Sequence, residues 1–309
     1  MNSLDEPRKY PVDSGIIPSI SIEEHIVPLY DLIGWLKSEN IDTSNTRIPK
    51  YIKFLEDYEK NDSLDPENNE EDKDTITEYL YVLRETHELI WIFKGIKKQF
   101  PEGVVNLFKK SIGGKNYARH DKDSTARNYQ FELRILSYFL RRDWEVDITS
   151  RTDIITRKNK FTFYIECKRL SSKKKIESRV REAAKQLDRK TKKTKLSRKD
   201  LGIAVFDVTK IAYPHQGVTW GVTYDHCKDI IQNKLKEIEV EYDFYGPFFK
   251  NKNVILIWLQ IHIPSLNIGL SHPATRFSSL FLPIVPKSGY RYNGFETLRS
   301  AIEVDPFEL

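Results

Sequence analysis

Asp153-Ile154-Ile155-Thr156-Arg157-Lys158-Asn159-Lys160-Phe161-Thr162-Phe163-Tyr164-Ile165-Glu166-Cys167-Lys168 is the stretch that decides the fold. Apolar side chains alternate through Phe161, Phe163, Ile165 and Cys167. Successive side chains of a strand point to opposite faces, so these four meet a core while Thr162, Tyr164, Glu166 and Lys168 share the other face. Asp153 to Arg157 is a second, short β-rich segment. The polar triplet Lys158-Asn159-Lys160 is a turn signal, and a hairpin closing there brings Asp153 back beside Glu166. Glu166 and Lys168 then point the same way, ~7 Å apart along the strand. A carboxylate and an ammonium at such a place are costly unless paired, exposed or bound to an ion.

The flanks supply the rest of a sheet. Upstream, Asn128 to Arg142 reads as a helix with Phe131, Ile135, Leu136 and Phe139 on one stripe, and Trp144 to Ile148 alternates as a strand. Downstream, Ile176 to Arg189 returns to helical spacing, and Leu201 to Val208 is a near-continuous apolar run, as in a buried central strand. Helix, three-strand meander, helix and strand imply an α/β fold with a mixed central sheet flanked by helices. Asp225 to Glu241 reads as a helix, and Val254 to Ile263 and Phe277 to Val285 as further strands.

The first part of the chain has a different period. Residues 1–21 read as an arm. Ile22 to Lys37 is predicted helical through Ile26, Leu29, Ile33 and Leu36, with Ser21 as N-cap. Ile48 to Tyr58 continues as a helix, Asn61 to Asp74 as an exposed acidic loop, and Ile76 to Phe100 as a long helix with Leu80, Leu83, Ile90 and Phe93 inward. Val104 to Ile112 is a short helix. The charged, glycine-containing stretch Gly113 to Ser124 suggests a boundary. Residues 1–123 then form an N-terminal helical region for target recognition or dimerisation, and 124–309 a second domain ending in an α/β extension.

Composition narrows the class. Of 309 residues, 39% are hydrophobic and 31% charged, which fits a globular rather than a disordered chain. The longest apolar candidate, Val254 to Ile263, has about ten residues where a membrane helix needs about 20. Two cysteines, Cys167 and Cys227, exclude a disulfide framework and a cysteine-based zinc site within one chain. The N-terminus has no signal-peptide core, so a reducing, cytoplasmic setting is expected. His215, His226, His262 and His272 have no metal-ligand spacing. Net charge is only +5, but it is segregated: eleven acidic and two basic residues between Glu56 and Glu78, against fifteen basic and three acidic between Lys168 and Lys199. Such segregation points to a polyanionic partner, nucleic acid foremost.

Two convergent carboxylates, Asp153 and Glu166, make a hard oxygen site suited to Mg²⁺, or to Mn²⁺ in its place. Such an ion polarises a phosphoryl oxygen and helps generate hydroxide from water. A neighbouring Lys168 can orient that water or offset charge building on the phosphorus oxygens. An exposed cross-strand ion pair would give the same Glu166–Lys168 spacing, and Asp153 could serve only as a turn residue.

Thr152-Asp153, Glu166-Cys167-Lys168 and the basic helix that follows resemble the D-(x)n-E-x-K core of the PD-(D/E)XK, or restriction-endonuclease-like, nucleases over roughly 80 residues. The resemblance implies a Mg²⁺-dependent nuclease, most simply a DNA endonuclease of restriction, phage defence or repair. It implies that Asp153 and Glu166 hold the metal and that Lys168 assists the nucleophile. Glu132 matches an acidic residue that many members add to the metal site, and Gln186 a polar active-site position of some. Two departures stand out: Thr152 replaces the proline before the aspartate, and Lys190 occupies the tyrosine position of the Gln-x-x-x-Tyr variant. Lys173, Lys174, Lys175, Arg179 and Arg181 open the helix after the catalytic strand and are candidates for phosphate contact. Cutting both strands of a duplex needs two sites, so a homodimer is expected. The alternatives are an RNase or structure-specific resolvase on the same core, an inactive nucleic-acid-binding module, and an interaction protein working through its helical half.

Overall fold

A computed structural model describes residues 9–17, 21–60, 70–116, 125–148, 153–193, 200–214, 218–267 and 274–303. The hairpin is its organising element. Strands β3 (Ile154–Lys158) and β4 (Phe161–Arg169) pair antiparallel from Lys158↔Phe161 to Ile154↔Ile165. Asn159 takes φ 55° at the turn, a left-handed conformation that asparagine tolerates better than most residues. Strand β2 (Glu145–Asp147) completes the meander on the outer side of β3. Helix α6 (Ile176–Lys193) crosses over, and β5 (Asp200–Asp207) returns parallel to β4, with Glu166 opposite Ala204 and Arg169 opposite Asp207.

Beyond β5 the sheet continues. Strand β7 (Val254–Asn267) runs parallel to β5, and β8 (Ala274–Pro283) antiparallel to β7. The short β6 (Thr219–Gly221) pairs with the far end of β7. Among the described residues seven strands form one mixed sheet in the order β1-β8-β7-β5-β4-β3-β2, with β6 as an eighth beside β7. Its edge strand β1 (Tyr10–Ile17) falls in the segment expected to be an arm, and pairs antiparallel with β8. Pro11, with no N–H to donate, is tolerated because an edge strand leaves one side unpaired.

Helices cover both faces. On one lie α1 (Ile22–Ser38), α2 (Arg47–Glu59), α3 (Glu70–Lys98), α4 (Val104–Ser111), α5 (Thr125–Leu140) and α9 (Tyr290–Ile302). Ser21 caps α1 as expected: its hydroxyl accepts from Glu24 N–H at 3.2 Å, and Glu24 accepts from Ser21 N–H at 2.7 Å. The most buried stripe of α1 runs through His25, Leu29, Leu32 and Leu36, with Ile26 and Ile33 at its borders. Helix α3 begins at Glu70, inside the stretch read as an acidic loop, whose residues 61–69 lie outside the described ones. Helices α3 and α5 lie side by side on the sheet, α5 against β2, β3 and β4 and α3 against β7 and β8. Gly95 of α3 lies so close to Ser137 of α5 that an added Cβ would sit 2.8 Å from the Ser137 Cβ.

The other face carries α6, α7 (Thr209–Ala212) and α8 (Tyr224–Glu241), packed around Val180, Leu187, Ile231 and Leu235. A continuous apolar cluster runs from Leu29 and Leu36 through Trp91 and Phe139 to Phe163, Val205 and Phe281. The N-terminal helices therefore share one core with the sheet, while residues 117–124 of the expected boundary are outside the described ones. Trp220 is 67% exposed on the three-residue strand β6. Among the described residues no helix is long and apolar enough to cross a membrane.

Candidate active site

The β3–β4 ladder ends at the Ile154–Ile165 pair, and the next residues toward the sheet end are Asp153 and Glu166. The Asp153 side chain extends the hairpin by one link: its Oδ2 accepts the backbone N–H of Cys167 at 2.7 Å. Glu166 is 2% exposed, and its Oε1 accepts from Lys168 Nζ at 2.8 Å. Lys168 also lies 3.6 Å from Glu182 Oε1 on α6. Glu132, half-buried on α5, completes the group from the other side of the strand end.

The electrostatics show how closely these groups sit. Burial, then the nearby Asp153 carboxylate, pushes Glu132 up to about 8. Burial, then Asp153, also raises Glu166, against the pull of Lys168. Burial raises Asp153, although the Cys167 amide and Lys168 oppose it. For Lys168 burial acts downward, but Glu166 outweighs it and the ammonium is held above its usual range. Three carboxyl groups thus compete for charge in a half-dry space with one close ammonium.

Gln186, the fifth expected catalytic residue, lies on α6 one turn from Glu182 and one turn from Lys190. Glu182 contacts Lys168, and the positive charge of Lys190 lowers both Asp153 and Glu166. Gln186 is therefore on the helix stripe that overlooks the site. Its Oε1 is buried and has no hydrogen-bond partner among the described residues. Sequence reasoning passed over Glu182 and treated Lys190 only as a mismatch. The i, i+4, i+8 spacing 182–186–190 was the available signal, because it lays all three on one helix face.

The basic run is less tightly held. Lys173, Lys174 and Lys175 form an exposed 3-10 turn opening α6, with Lys173 3.2 Å from Glu241. Arg179 pairs with Glu182 at 2.8 Å, so one carboxylate joins this surface to Lys168. Arg181 pairs with Glu177 at 2.5 Å on the outer face of α6. Pairs this exposed contribute little and are readily exchanged for another anion.

Among the described residues, no three His, Cys, Asp or Glu side chains are already arranged as a metal cage. Asp153 and Glu166 each hold a protein partner at one oxygen, the Cys167 amide and Lys168. The donor set nevertheless suits a hard divalent cation: carboxylate oxygens at one strand end, raised by burial and mutual repulsion, with the unpartnered Gln186 Oε1 on the overlooking stripe. His226 accepts from Val222 N–H at 3.2 Å and His262 is buried near Glu88, away from this group, while His215 and His272 lie outside the described residues. Both cysteines are buried. No protein-family model, curated protein or solved structure matches the chain.

Proposed function

We propose that this chain is a metal-dependent nuclease of the PD-(D/E)XK kind that hydrolyses nucleic-acid phosphodiesters, DNA foremost. One observation carries the reading: Asp153, Glu166, Lys168 and Glu132 come from two strands and one helix yet perturb one another's charge at a single sheet end. The order α5-β2-β3-β4-α6-β5 supports it, since that is the core order the resemblance implies.

Asp153, Glu166 and Glu132 would hold Mg²⁺ or Mn²⁺, which when bound supplies Lewis acidity toward a phosphoryl oxygen and acidifies water. The chain's own residues account for positioning. The Cys167 amide holds one Asp153 oxygen, and Lys168 holds one from Glu166. The Lys168 ammonium, braced by Glu166 and Glu182, is placed to orient a water and to stabilise charge growing on the phosphoryl oxygens. That water's oxygen bonds to phosphorus, the bond from phosphorus to one sugar oxygen breaks, and a proton passes to the departing oxygen. Lys173, Lys174, Lys175 and Arg179, exposed at the start of α6, would contact backbone phosphates.

The test is cleavage of plasmid, linear duplex, single-stranded DNA and RNA with Mg²⁺, Mn²⁺ or EDTA. Metal-dependent cutting abolished in Glu166→Ala and Lys168→Ala is expected. RNA-only cutting would reassign the substrate, and binding without cutting by the wild type would make the chain a nucleic-acid-binding module.

A further inference from the structure

Beside the carboxylate site, on the other face of the β4 end, lies a second charged cleft with about 70 Å³ of free space. Five basic side chains line it: Arg84 from α3, Arg127 and Arg134 from α5, Arg169 from β4 and Lys210 from α7. Glu85, Glu88 and Asp207 are its acidic lining. These carboxylates are spoken for. Arg127 and Arg47 both bind Glu85, the latter at 2.8 Å, and Arg134 lies 3.0 Å from Glu88 and 3.2 Å from Asp207. Arg169 lies 3.3 Å from Asp207. Among the described residues that line it, five cations face three anions, with Lys210 exposed at the rim and Arg127 and Arg134 buried.

Two buried polar atoms reinforce the point. Arg134 is 1% exposed and its Nε has no hydrogen-bond partner, and His262 is 2% exposed with an unpartnered Nε2. Both line the cleft. At the rim, Lys210 is exposed and makes no ion pair among the described residues. Arg134, Glu88 and His262 are buried in the lining. The small free volume suits a terminal group or a small anion better than a continuous strand. A phosphomonoester carries about −1.5 to −2 charge, enough to engage both Arg169 and Lys210, while an internal diester carries only one.

We propose that this cleft binds a phosphomonoester: the terminal phosphate of a nucleic-acid strand, with Arg169 and Lys210 admitting it and Arg134 anchoring its base. Arg169 follows Lys168 directly on β4, so a bound terminus lies next to the carboxylate site. The choice of a strand end as the ligand rests on the nuclease reading, while the phosphate chemistry rests on the cleft alone.

The experiment measures binding of an internally labelled oligonucleotide in EDTA at physiological salt, bearing a 5′-phosphate, a 3′-phosphate or hydroxyls at both ends. One phosphorylated form is expected to bind about tenfold tighter than the hydroxyl form, a ratio typical of gaining a charge-assisted contact. Lys210→Gln and Arg169→Gln should each remove most of that ratio, Lys210→Gln with no loss of melting temperature. Inorganic phosphate and a nucleoside monophosphate, added separately, should raise the melting temperature of the wild type and not of Lys210→Gln. Thermal shifts with a nucleotide but no end preference on oligonucleotides would overturn the strand-end assignment. Equal binding of all end forms with no thermal shift from phosphate would overturn the cleft itself. Retained end preference in a protein that never cuts would instead sink the nuclease reading.

Discussion

Lys168 and Glu166 share one face of one strand, two residues apart, with Nζ 2.8 Å from Oε1. On the proposed nuclease reading, removing the ammonium has two effects: the phosphoryl oxygens would lose a cation, and Glu166 loses its nearest compensating charge. Lys168→Met should lower the single-turnover cleavage rate by about 10²–10³. Substrate affinity should fall far less, because the exposed basic run on α6 remains. Cleavage within threefold of wild type would remove Lys168 from the catalytic group.

Asp153 serves both the hairpin and the charge cluster, and two variants separate the roles. Asp153→Asn keeps an oxygen for the Cys167 amide, so its thermal stability should equal or exceed that of wild type while metal-dependent cleavage disappears. Asp153→Ala leaves that amide without its acceptor and should cost about 1–2 kcal/mol in urea denaturation. Equal stability of the two variants would show that the amide contact carries no weight.

Glu132 makes stability fall with rising pH. Its folded pKa is raised from 4.5 to about 8, so between those values the folded chain holds a proton that the unfolded chain releases. Stability attributable to this group is greatest below pH 4.5 and is lost as pH rises through about 8. Glu132→Gln should therefore be more stable than wild type at pH 8.5, by on the order of 2 kcal/mol, with the difference vanishing near pH 4.5. Mg²⁺ should raise the melting temperature of the wild type at pH 8.5 more than that of the variant. A variant less stable than wild type at pH 8.5 would contradict the electrostatic account.

The second cleft has the opposite dependence. Burial alone would raise Glu88, but the Arg134 guanidinium prevails and holds it at about 2. Asp207 is likewise held well below the usual carboxylate range by Arg134 and Arg169, against burial. Their contribution is complete above about pH 4.5 and lost as pH falls through about 2. Arg134→Met deprives Glu88 of its guanidinium partner and leaves Asp207 only Arg169, and should cost about 3–5 kcal/mol at pH 7. Chemical denaturation at pH 7 and pH 5 checks the sign: the deficit of the variant relative to wild type should shrink on acidification over that interval.

The α3–α5 crossing offers a purely steric check. A methyl group at position 95 meets the Ser137 Cβ at 2.8 Å and its Cα at 3.2 Å, with no flexible chain end to yield. Gly95→Ala should lower stability by about 1–3 kcal/mol despite alanine's better helix propensity. The double variant with Ser137→Gly should recover part of the loss.

Much of this arrangement can be read from the chain itself. The hairpin announces itself by alternation, because one face of β4 packs against the core through Phe161, Phe163 and Ile165. Asp153, Glu166 and Lys168 follow from that alternation and the position of the turn. Strand β1 does not: Pro11, Asp13, Ser14 and Gly15 break the pattern, and its register slips between Asp13 and Ile16. Helix α9 opens at Gly289 with tyrosines rather than an apolar stripe and was passed over. Lys190 and Glu182 become neighbours of the site only when α6 docks across β4. Glu85, Glu88 and Arg134 look like surface residues of helices, and their burial becomes visible only when α3 and α5 lie against each other and the sheet.

The pairing of β1 with β8 has a consequence for biogenesis. The two strands, Tyr10–Ile17 and Ala274–Pro283, lie far apart in the sequence. At ~5–20 residues per second, the ribosome delivers the later strand on the order of tens of seconds after the earlier one. Throughout that interval the nascent sheet lacks its closing edge, and this part of the molecule matures only after Ala274–Pro283 has been made. Trimming the first seventeen residues would leave β8 as a bare template for lateral pairing between copies, with aggregation rather than loss of chemistry as the first symptom.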